Sequence, residues 1–282
     1  MEEVSRAVPD YISTEEFAEQ WRTIGVPYRM TDNEKQIYGR FLRESAGHID
    51  NPKMIVLGVT PELRELGHKY GYRVTCVDFS QTWINAMDIL MGEEGGKDII
   101  VRCNWFETPL QRGEYDVVVG DGPITLTELK NWDRLLEIVH QLLKPAGYFI
   151  TRTIVGIGDP VPLGDALKIF GERLLKYPEK YLTSLWYATI KPQNKMGCGN
   201  IEEELEKLRD NGGITSDEFD KIYNRFSKLF GIKSPGYALE QKPYEKILSK
   251  YFQIKGLDYD KALHNIEKPM AIWYIYSLAN KS

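Results

Sequence analysis

Gly58 and Asp78 are the residues of this sequence whose types and spacing most clearly permit chemistry. Gly58 follows the apolar run 54–57, and Asp78, twenty residues later, follows the apolar run 74–77. After the first strand of a parallel sheet a glycine allows a tight turn, and an acidic residue ending the next strand can accept hydrogen bonds from ribose hydroxyls. The pair indicates a nucleoside ligand, although an ordinary turn with a solvated aspartate would show the same residues.

The kind of ligand is indicated by the residues after Gly58, which are Val59, Thr60, Pro61 and Glu62. We expect Thr60 to cap a helix and Pro61 to be its first residue. Proline lacks an N–H that a phosphate could use, and the glutamate places negative charge at the helix start. Both changes disfavour a diphosphate, so the loop favours S-adenosylmethionine over NAD or FAD.

Short apolar runs alternate with helix-like stretches between about residues 53 and 153, which predicts a parallel, doubly wound α/β sheet. The predicted strands of this region are 54–57, 74–77, 99–101, 115–119 and 148–150, and the predicted helices are 61–70, 81–91 and 127–143. Two helices, 14–21 and 33–45, precede the sheet. The stretch 156–246 shows no convincing strand, and a capping-box pattern at Thr215 and Glu218 opens its clearest helix. Strand-like runs return at 251–254 and 270–276, where they could add an antiparallel pair.

Further motifs follow Gly58 in order along the chain. They are the segment 74–80 with Asp78, the run Gln81-Thr82-Trp83, Asn104 with Trp105, the strand 115–119 followed by Gly120-Asp121-Gly122, and the segment Leu142-Leu143-Lys144-Pro145-Ala146-Gly147 with its strand. Residues 50–155, and the end of the chain from 250, thereby resemble the class I S-adenosylmethionine-dependent methyltransferases. The loop after Gly58 departs from that family's glycine-rich pattern.

This resemblance implies a Rossmann-like, mostly parallel sheet of seven strands, with a helical insertion between the fifth and sixth strands. Residues 51–155 and 250–282 would form the cofactor-binding core, with residues 1–50 as an N-terminal lid and 156–249 as a substrate lid. The cofactor-binding residues that it implies are Gly58, Thr60, Pro61, Asp78, Phe79, Ser80, Trp83, Cys103, Asn104, Trp105, Asp121 and Gly122. Asp121 is also the catalytic candidate, because it ends the fourth strand near the expected position of the methyl group, although capping the following turn or holding the cofactor's amino group would explain it equally well.

The expected acceptor is a small molecule methylated on O, N or C, because the lid-sized additions are typical of family members with such substrates. Its candidate contacts are Tyr28, Arg29, Tyr38, Arg152 and Trp186, although ordinary packing or salt bridges would also explain each of them. Arg29, Arg152 and also Arg40, with a small positive excess after residue 160, favour an acidic acceptor. Another S-adenosylmethionine-using transferase or cyclase, or a non-catalytic binding protein, remains an alternative.

Composition excludes several other classes. The 282 residues carry a net charge of -5, so a general nucleic-acid binder is not expected, although an RNA or protein methylase stays possible. No two histidines have ligand spacing and the three cysteines are far apart, so no metal is predicted. Without an apolar stretch of membrane length, the sequence predicts a cytoplasmic protein, monomeric or homodimeric.

Overall fold

A computed structural model describes residues 13–23, 25–47, 49–158, 161–189, 198–226, 236–266 and 269–281. The described residues contain ten strands in two sheets. They are Lys53–Leu57 (β1), Arg73–Asp78 (β2), Ile99–Arg102 (β3), Tyr115–Asp121 (β4), Leu143–Gly156 (β5), Cys198–Gly199 (β6), Gly236–Tyr237 (β7), Leu239–Glu240 (β8), Phe252–Asp258 (β9) and Ala271–Asn280 (β10).

The order across the main sheet is β3-β2-β1-β4-β5-β10-β9, and β8 pairs with the end of β5. The first five strands are parallel, whereas β10 is antiparallel to both β5 and β9, which confirms the predicted antiparallel pair at the end of the chain. The seven predicted strands are present, and β8 makes an eighth. The expectation of no strand in 156–246 is wrong, because β6, β7 and β8 lie there, each only two residues long.

The direction of winding reverses at β1. The chain runs outward from β1 through β2 to β3 and then returns to place β4 on the other side of β1. Loops that leave β1 and β4 therefore diverge, and the crevice between them is where parallel α/β sheets bind ligands. We call the side of the sheet at which the parallel strands end the carboxyl edge.

Helices cover the sheet and form the insertion. They are Thr14–Thr23 (α1), Asp32–Ala46 (α2), Pro61–Lys69 (α3), Gln81–Met91 (α4), Pro123–Leu126 (α5), Trp132–Leu142 (α6), Leu163–Phe170 (α7), Glu172–Lys176 (α8), Pro178–Ala188 (α9), Ile201–Asp210 (α10), Ser216–Phe226 (α11) and Gln241–Leu248 (α12). The predicted helix 127–143 starts later, at Trp132, because the buried Thr127 hydroxyl donates to the Pro123 carbonyl and closes α5 first.

Alternation along each strand sends its side chains into two different cores. Met54 and Val56 of β1 pack with α1–α4 on one face of the sheet. Ile55 and Leu57 pack with α6 and α12 on the opposite face. Both faces are thus covered, which explains why the strands of a parallel sheet are nearly continuous runs of apolar residues.

The insertion has a third core of its own. Phe219 and Ile222 of α11 pack there with α7, α9 and the start of β10. The predicted capping box is confirmed, since Thr215 and Glu218 each hydrogen-bond to the backbone N–H of the other. Two further apolar residues of this segment, Leu229 and Phe230, lie outside the described residues. No helix within the described ranges is long and apolar enough to cross a membrane.

Close approach of α3 to the sheet depends on Gly67. A Cβ at this position would lie 2.3 Å from the Met54 Cε and 2.7 Å from the Val74 Cγ2. We expect Gly67→Ala to lower the free energy of unfolding by about 1–3 kcal/mol through overpacking. Urea denaturation measures this, with Gly96→Ala as control, because nothing lies within 4 Å of a Cβ there. Equal midpoints for the two variants would contradict the packing argument.

Candidate active site at the carboxyl edge

Gly58 and Asp78 meet at the carboxyl edge. Gly58 has a φ of 99°, a conformation that favours glycine, and its N–H donates to the Val77 carbonyl at 2.8 Å. A Cβ on Gly58 would stand 3.8 Å from Oδ2 of Asp78, so the glycine keeps open the space beside that carboxylate. The sequence spacing had predicted this juxtaposition.

The Asp78 carboxylate is held by its own backbone turn. Its Oδ1 accepts from the Ser80 N–H at 2.8 Å. Burial raises the pKa of Asp78 to about 6, although hydrogen bonds from the Ser80 and Phe79 N–H groups act in the other direction. The carboxylate is therefore ionised at neutral pH and can accept further hydrogen bonds. The neighbouring Phe79 ring is 44% exposed, an apolar surface beside the carboxylate.

The segment after β3 is tied to the end of β2. The Cys103 N–H donates to the Asp78 carbonyl, and the Trp105 indole N–H donates to the Val77 carbonyl at 2.7 Å. Asn104 is exposed and uses its Oδ1 to cap the following short helix by accepting from the Phe106 N–H. Together these bonds place a fixed amide and an aromatic surface beside Asp78.

Trp83 connects the edge to the N-terminal helices. Ser80 caps α4 by accepting from the Trp83 N–H at 3.3 Å. The Trp83 ring packs edge-on against Phe17 and Trp21 of α1, at centroid distances of 4.5 and 5.3 Å. This predicted cofactor residue therefore also anchors the predicted lid.

The loop after Gly58 has the predicted helix start. Thr60 is the N-cap residue of α3 and Pro61 its first residue, but the Thr60 side chain makes no capping hydrogen bond. Glu62 is buried, with a side chain 2% exposed, and forms an ion pair with Arg29 at 2.6 Å. A buried carboxylate at a helix start disfavours a diphosphate there, as the sequence predicts.

Arg152 of β5 forms a buried junction that is central to the site. Its Nε donates to Asp121 Oδ1 at 2.6 Å and its Nη1 to Glu34 Oε2 at 2.9 Å. Its Nη2 donates to the Tyr28 carbonyl at 3.1 Å, and the Trp273 ring lies 4.4 Å from its Cζ. The guanidinium thus joins α2, β4 and the segment before α2 while only 1% of the side chain is exposed.

The end of β4 is equally enclosed. The Tyr38 hydroxyl of α2 donates to the Gly120 carbonyl at 2.8 Å, and burial raises the pKa of this phenol. Burial also raises the pKa of Asp121 to about 6, against the favourable charge of Arg152, and the Glu34 and Glu62 carboxylates add to the rise. Gly122, with a φ of 73°, follows at the turn into α5.

Four of the five predicted acceptor contacts lie together, whereas Trp186 belongs to the core of the insertion. The four are Tyr28, Arg29, Tyr38 and Arg152. Arg152 donates to the carbonyl of Tyr28, the residue before Arg29, and Tyr38 donates to the carbonyl of Gly120, the residue before the Arg152 partner Asp121. Both arginines have carboxylate partners, and so does Arg40, which bonds to Asp258 at 2.7 Å. The positive charge that suggested an acidic acceptor is therefore already neutralised within the protein.

Sequence reasoning missed Glu34 as a site residue. The signal for its local role was present, since Thr31 and Glu34 form a capping box at the start of α2. Its contact with Arg152, 118 residues away, had no local signal. Glu62 was recognised only as negative charge at a helix start.

The loop between β9 and β10 borders the same edge, because β10 begins opposite the end of β5. Asp260 in this loop accepts hydrogen bonds from the Thr31 hydroxyl at 2.6 Å and from the Asn33 amide at 3.1 Å. His264 accepts from the Trp273 N–H, and burial lowers its pKa to about 4, so its ring is neutral at neutral pH.

Comparison with known proteins agrees with this architecture. Residues 57–151 match the family model described as a methyltransferase domain. This part of the chain therefore carries a methyltransferase domain. The predicted enzyme class, an S-adenosylmethionine-dependent methyltransferase, and its cofactor are thereby confirmed. A search of curated proteins finds no match to the chain.

Solved structures share the fold at low sequence identity. A Rhodobacter sphaeroides protein, provisionally described as a Zn-dependent alcohol dehydrogenase, has a TM-score of 0.55 at 17% identity over 94% of this chain and 98% of its own. The PH0226 protein of Pyrococcus horikoshii has a TM-score of 0.51 at 14% identity over 93% of this chain and 99% of its own. A geranyl diphosphate methyltransferase in complex with S-adenosylmethionine has a TM-score of 0.50 at 10% identity, covering 88% and 85% of the two chains. These likenesses establish the fold alone.

If the Asp78 carboxylate binds the ribose, the affinity for the nucleoside ligand must depend on whether this carboxylate is ionised. We expect binding of S-adenosylhomocysteine to weaken as the pH falls through about 6, because the protonated carboxyl loses an acceptor. In Asp78→Asn this pH step should disappear, and binding at high pH should be about 10- to 100-fold weaker. Calorimetric titration over a pH series measures both effects. A step of the same size in the variant would contradict the assignment to Asp78 and point to Asp121, whose pKa burial also raises to about 6.

Removing the Arg152 guanidinium should strongly destabilise the protein. In Arg152→Met the carboxylates of Glu34 and Asp121 would stay buried without their cation, a loss of about 3–5 kcal/mol. The matched control is Arg40→Met, whose half-exposed ion pair should contribute at most about 1 kcal/mol. Urea denaturation of both variants tests this, and similar losses would refute the special role of the junction.

Proposed function

We propose that the protein transfers a methyl group from S-adenosylmethionine to O, N or C of a small-molecule acceptor. The observation that carries this proposal is that Gly58 lies beside Asp78 at the switch point of the sheet, with Asp121 at the end of the neighbouring strand β4, in a chain that contains a methyltransferase domain. The residues present fit the cofactor, because a loop with a buried carboxylate and a proline at the helix start, beside the available Asp78 carboxylate, suits adenosine without phosphates.

In this proposal the cofactor lies along the carboxyl edge from β3 to β4. Asp78 accepts hydrogen bonds from the ribose hydroxyls, while Phe79, Asn104 and Trp105 hold the adenine. The other proposed cofactor contacts carry no charge and line the site with backbone groups and neutral side chains. They are Gly58, Thr60, Pro61, Ser80, Trp83, Cys103 and Gly122. This direction places the amino-acid end of the cofactor near α3 and β4.

S-adenosylmethionine, when bound, supplies a methyl group already activated on a sulfonium, so the protein has mainly to align the acceptor and exclude water. Tyr38 and Arg152 keep the end of β4 dry and fixed. Asp121 faces the reacting region with a pKa of about 6, and such a carboxylate can hold a proton that an acceptor nucleophile loses.

We propose that the regions outside the core form the acceptor site. The N-terminal segment 1–50 closes over the cofactor through the contacts of Trp83 and Arg152, and the insertion 156–249 forms the remaining lid. The acceptor is then a small molecule, handled by a cytoplasmic monomer or homodimer without nucleic acid.

Turnover with labelled S-adenosylmethionine tests the function. A mixture of candidate small molecules should yield a methylated product together with S-adenosylhomocysteine, and Asp78→Ala should abolish both. Mass spectrometry of the sulfur by-product decides between reactions, because methylthioadenosine in its place would indicate aminopropyl transfer. Binding of the cofactor without turnover on any acceptor would favour a non-catalytic binding protein.

A further inference from the structure

One carboxylate at the start of α3 lacks a partner on one of its oxygens. Glu62 Oε1 accepts from Arg29 Nε at 2.7 Å, whereas Oε2 is buried and has no hydrogen-bond partner among the described residues. A buried charged oxygen without a donor is costly. The Glu62 side chain, which is 2% exposed, therefore still requires one more hydrogen-bond donor.

The cation that pairs with Glu62 is the more easily moved of the two arginines at this edge. Arg29 lies between α1 and α2 with 31% of its side chain exposed, and its other hydrogen bond, to the Arg22 carbonyl, is long at 3.4 Å. Arg152, by contrast, is buried with a partner on each of its three nitrogens. Arg29 can thus leave Glu62 without disturbing the junction around Arg152.

The surrounding charge favours a second cation. Three buried carboxylates, Glu34, Glu62 and Asp121, lie around two guanidinium groups, Arg29 and Arg152, an excess of one negative charge. Glu34 Oε1 also lacks a partner within the described parts of the chain. Neither neighbouring group of the β9–β10 loop offsets the excess, because His264 is neutral and Asp260 is itself acidic.

The arrangement of the carboxylate oxygens suits an ammonium group rather than a metal ion. In the ranges that the structure describes, no group of three or more His, Cys, Asp or Glu side chains is arranged to hold a metal. A primary ammonium has three N–H donors and needs only separate oxygen acceptors, not a common coordination centre. Oxygens on different helices and strands can therefore accept its three hydrogen bonds.

We propose that Glu62 is a binding site for the primary ammonium group of a ligand, and that Arg29 occupies this site as a placeholder which the ligand displaces. The location of the site rests on the proposed function. The ammonium has two chemical sources at this edge, the amino-acid end of the cofactor or an amine acceptor.

If the ligand displaces Arg29, substitutions of Glu62 and of Arg29 should change ligand affinity in opposite directions. Glu62→Gln should weaken ligand binding about 10- to 100-fold, because a charge-assisted hydrogen bond is lost. Arg29→Met should strengthen binding several-fold, because the competing cation is gone. A purely structural ion pair would give the same sign for both, since either substitution breaks the same contact.

Calorimetry with three probes separates the sources. If the cofactor supplies the ammonium, S-adenosylhomocysteine shows the opposite shifts, whereas methylthioadenosine, which lacks the amino-acid end, binds all variants equally. If the acceptor supplies it, S-adenosylhomocysteine affinity is unchanged, and butylammonium binding to the S-adenosylhomocysteine complex shows the shifts. Lys53→Met and Glu114→Gln, which break an ion pair of intermediate exposure at the start of β1, serve as controls and should change neither affinity.

Shifts of the same sign in both variants, or no change in either probe, would overturn the proposal. If Glu62→Gln does not fold, Arg29→Met tests the proposal alone, because only displacement of Arg29 by the ligand predicts that this variant binds the ligand more tightly than the wild type. Wild-type protein that binds neither S-adenosylhomocysteine nor methylthioadenosine would refute the proposed function instead. Butylammonium alone would then test the Glu62 site.

Discussion

The buried guanidinium of Arg152 is the constraint around which the site is organised. A single charge holds the Glu34 carboxylate of α2 and the Asp121 carboxylate of β4, with the Tyr28 carbonyl as a third partner. None of these acids is tolerable so deep in the protein without its cation. The N-terminal helices are thereby bound to the sheet at the end of β4, which is where the proposed function places the methyl donor and the acceptor.

The carboxyl edge of the sheet has two ends that differ in exposure, an open end at β2 and a buried end at β4. At the open end, Gly58 leaves space beside Asp78, and the exposed Phe79 ring offers an apolar surface. At the closed end, Tyr38 and Arg152 seal the end of β4. A nucleoside bound between them would have its polar sugar near water and its reacting group in a dry, charged region, where electrostatic interactions are strongest.

Local patterns were enough to predict the core of the fold. Continuous apolar runs predicted the parallel strands, Thr60 and Pro61 predicted the start of α3, and Thr215 with Glu218 predicted the cap of α11. Each of these depends on residues within a few positions of one another. The start of α6 was misplaced because the Thr127 hydroxyl closes α5, and the two-residue strands were missed because pairing partners, not composition, define them.

The sequence by itself determined the fold class and the meeting of Gly58 with Asp78, since strand period and spacing along one βαβ unit fix these features, while its resemblance to a known family indicated the cofactor. Only the tertiary structure decided what the charged residues do. Arg29, Arg40 and Arg152 looked like contacts for an acidic acceptor, but each meets a carboxylate from a distant part of the chain. Charge balance in a buried site is a sum over residues that only folding brings together, and here that sum is negative.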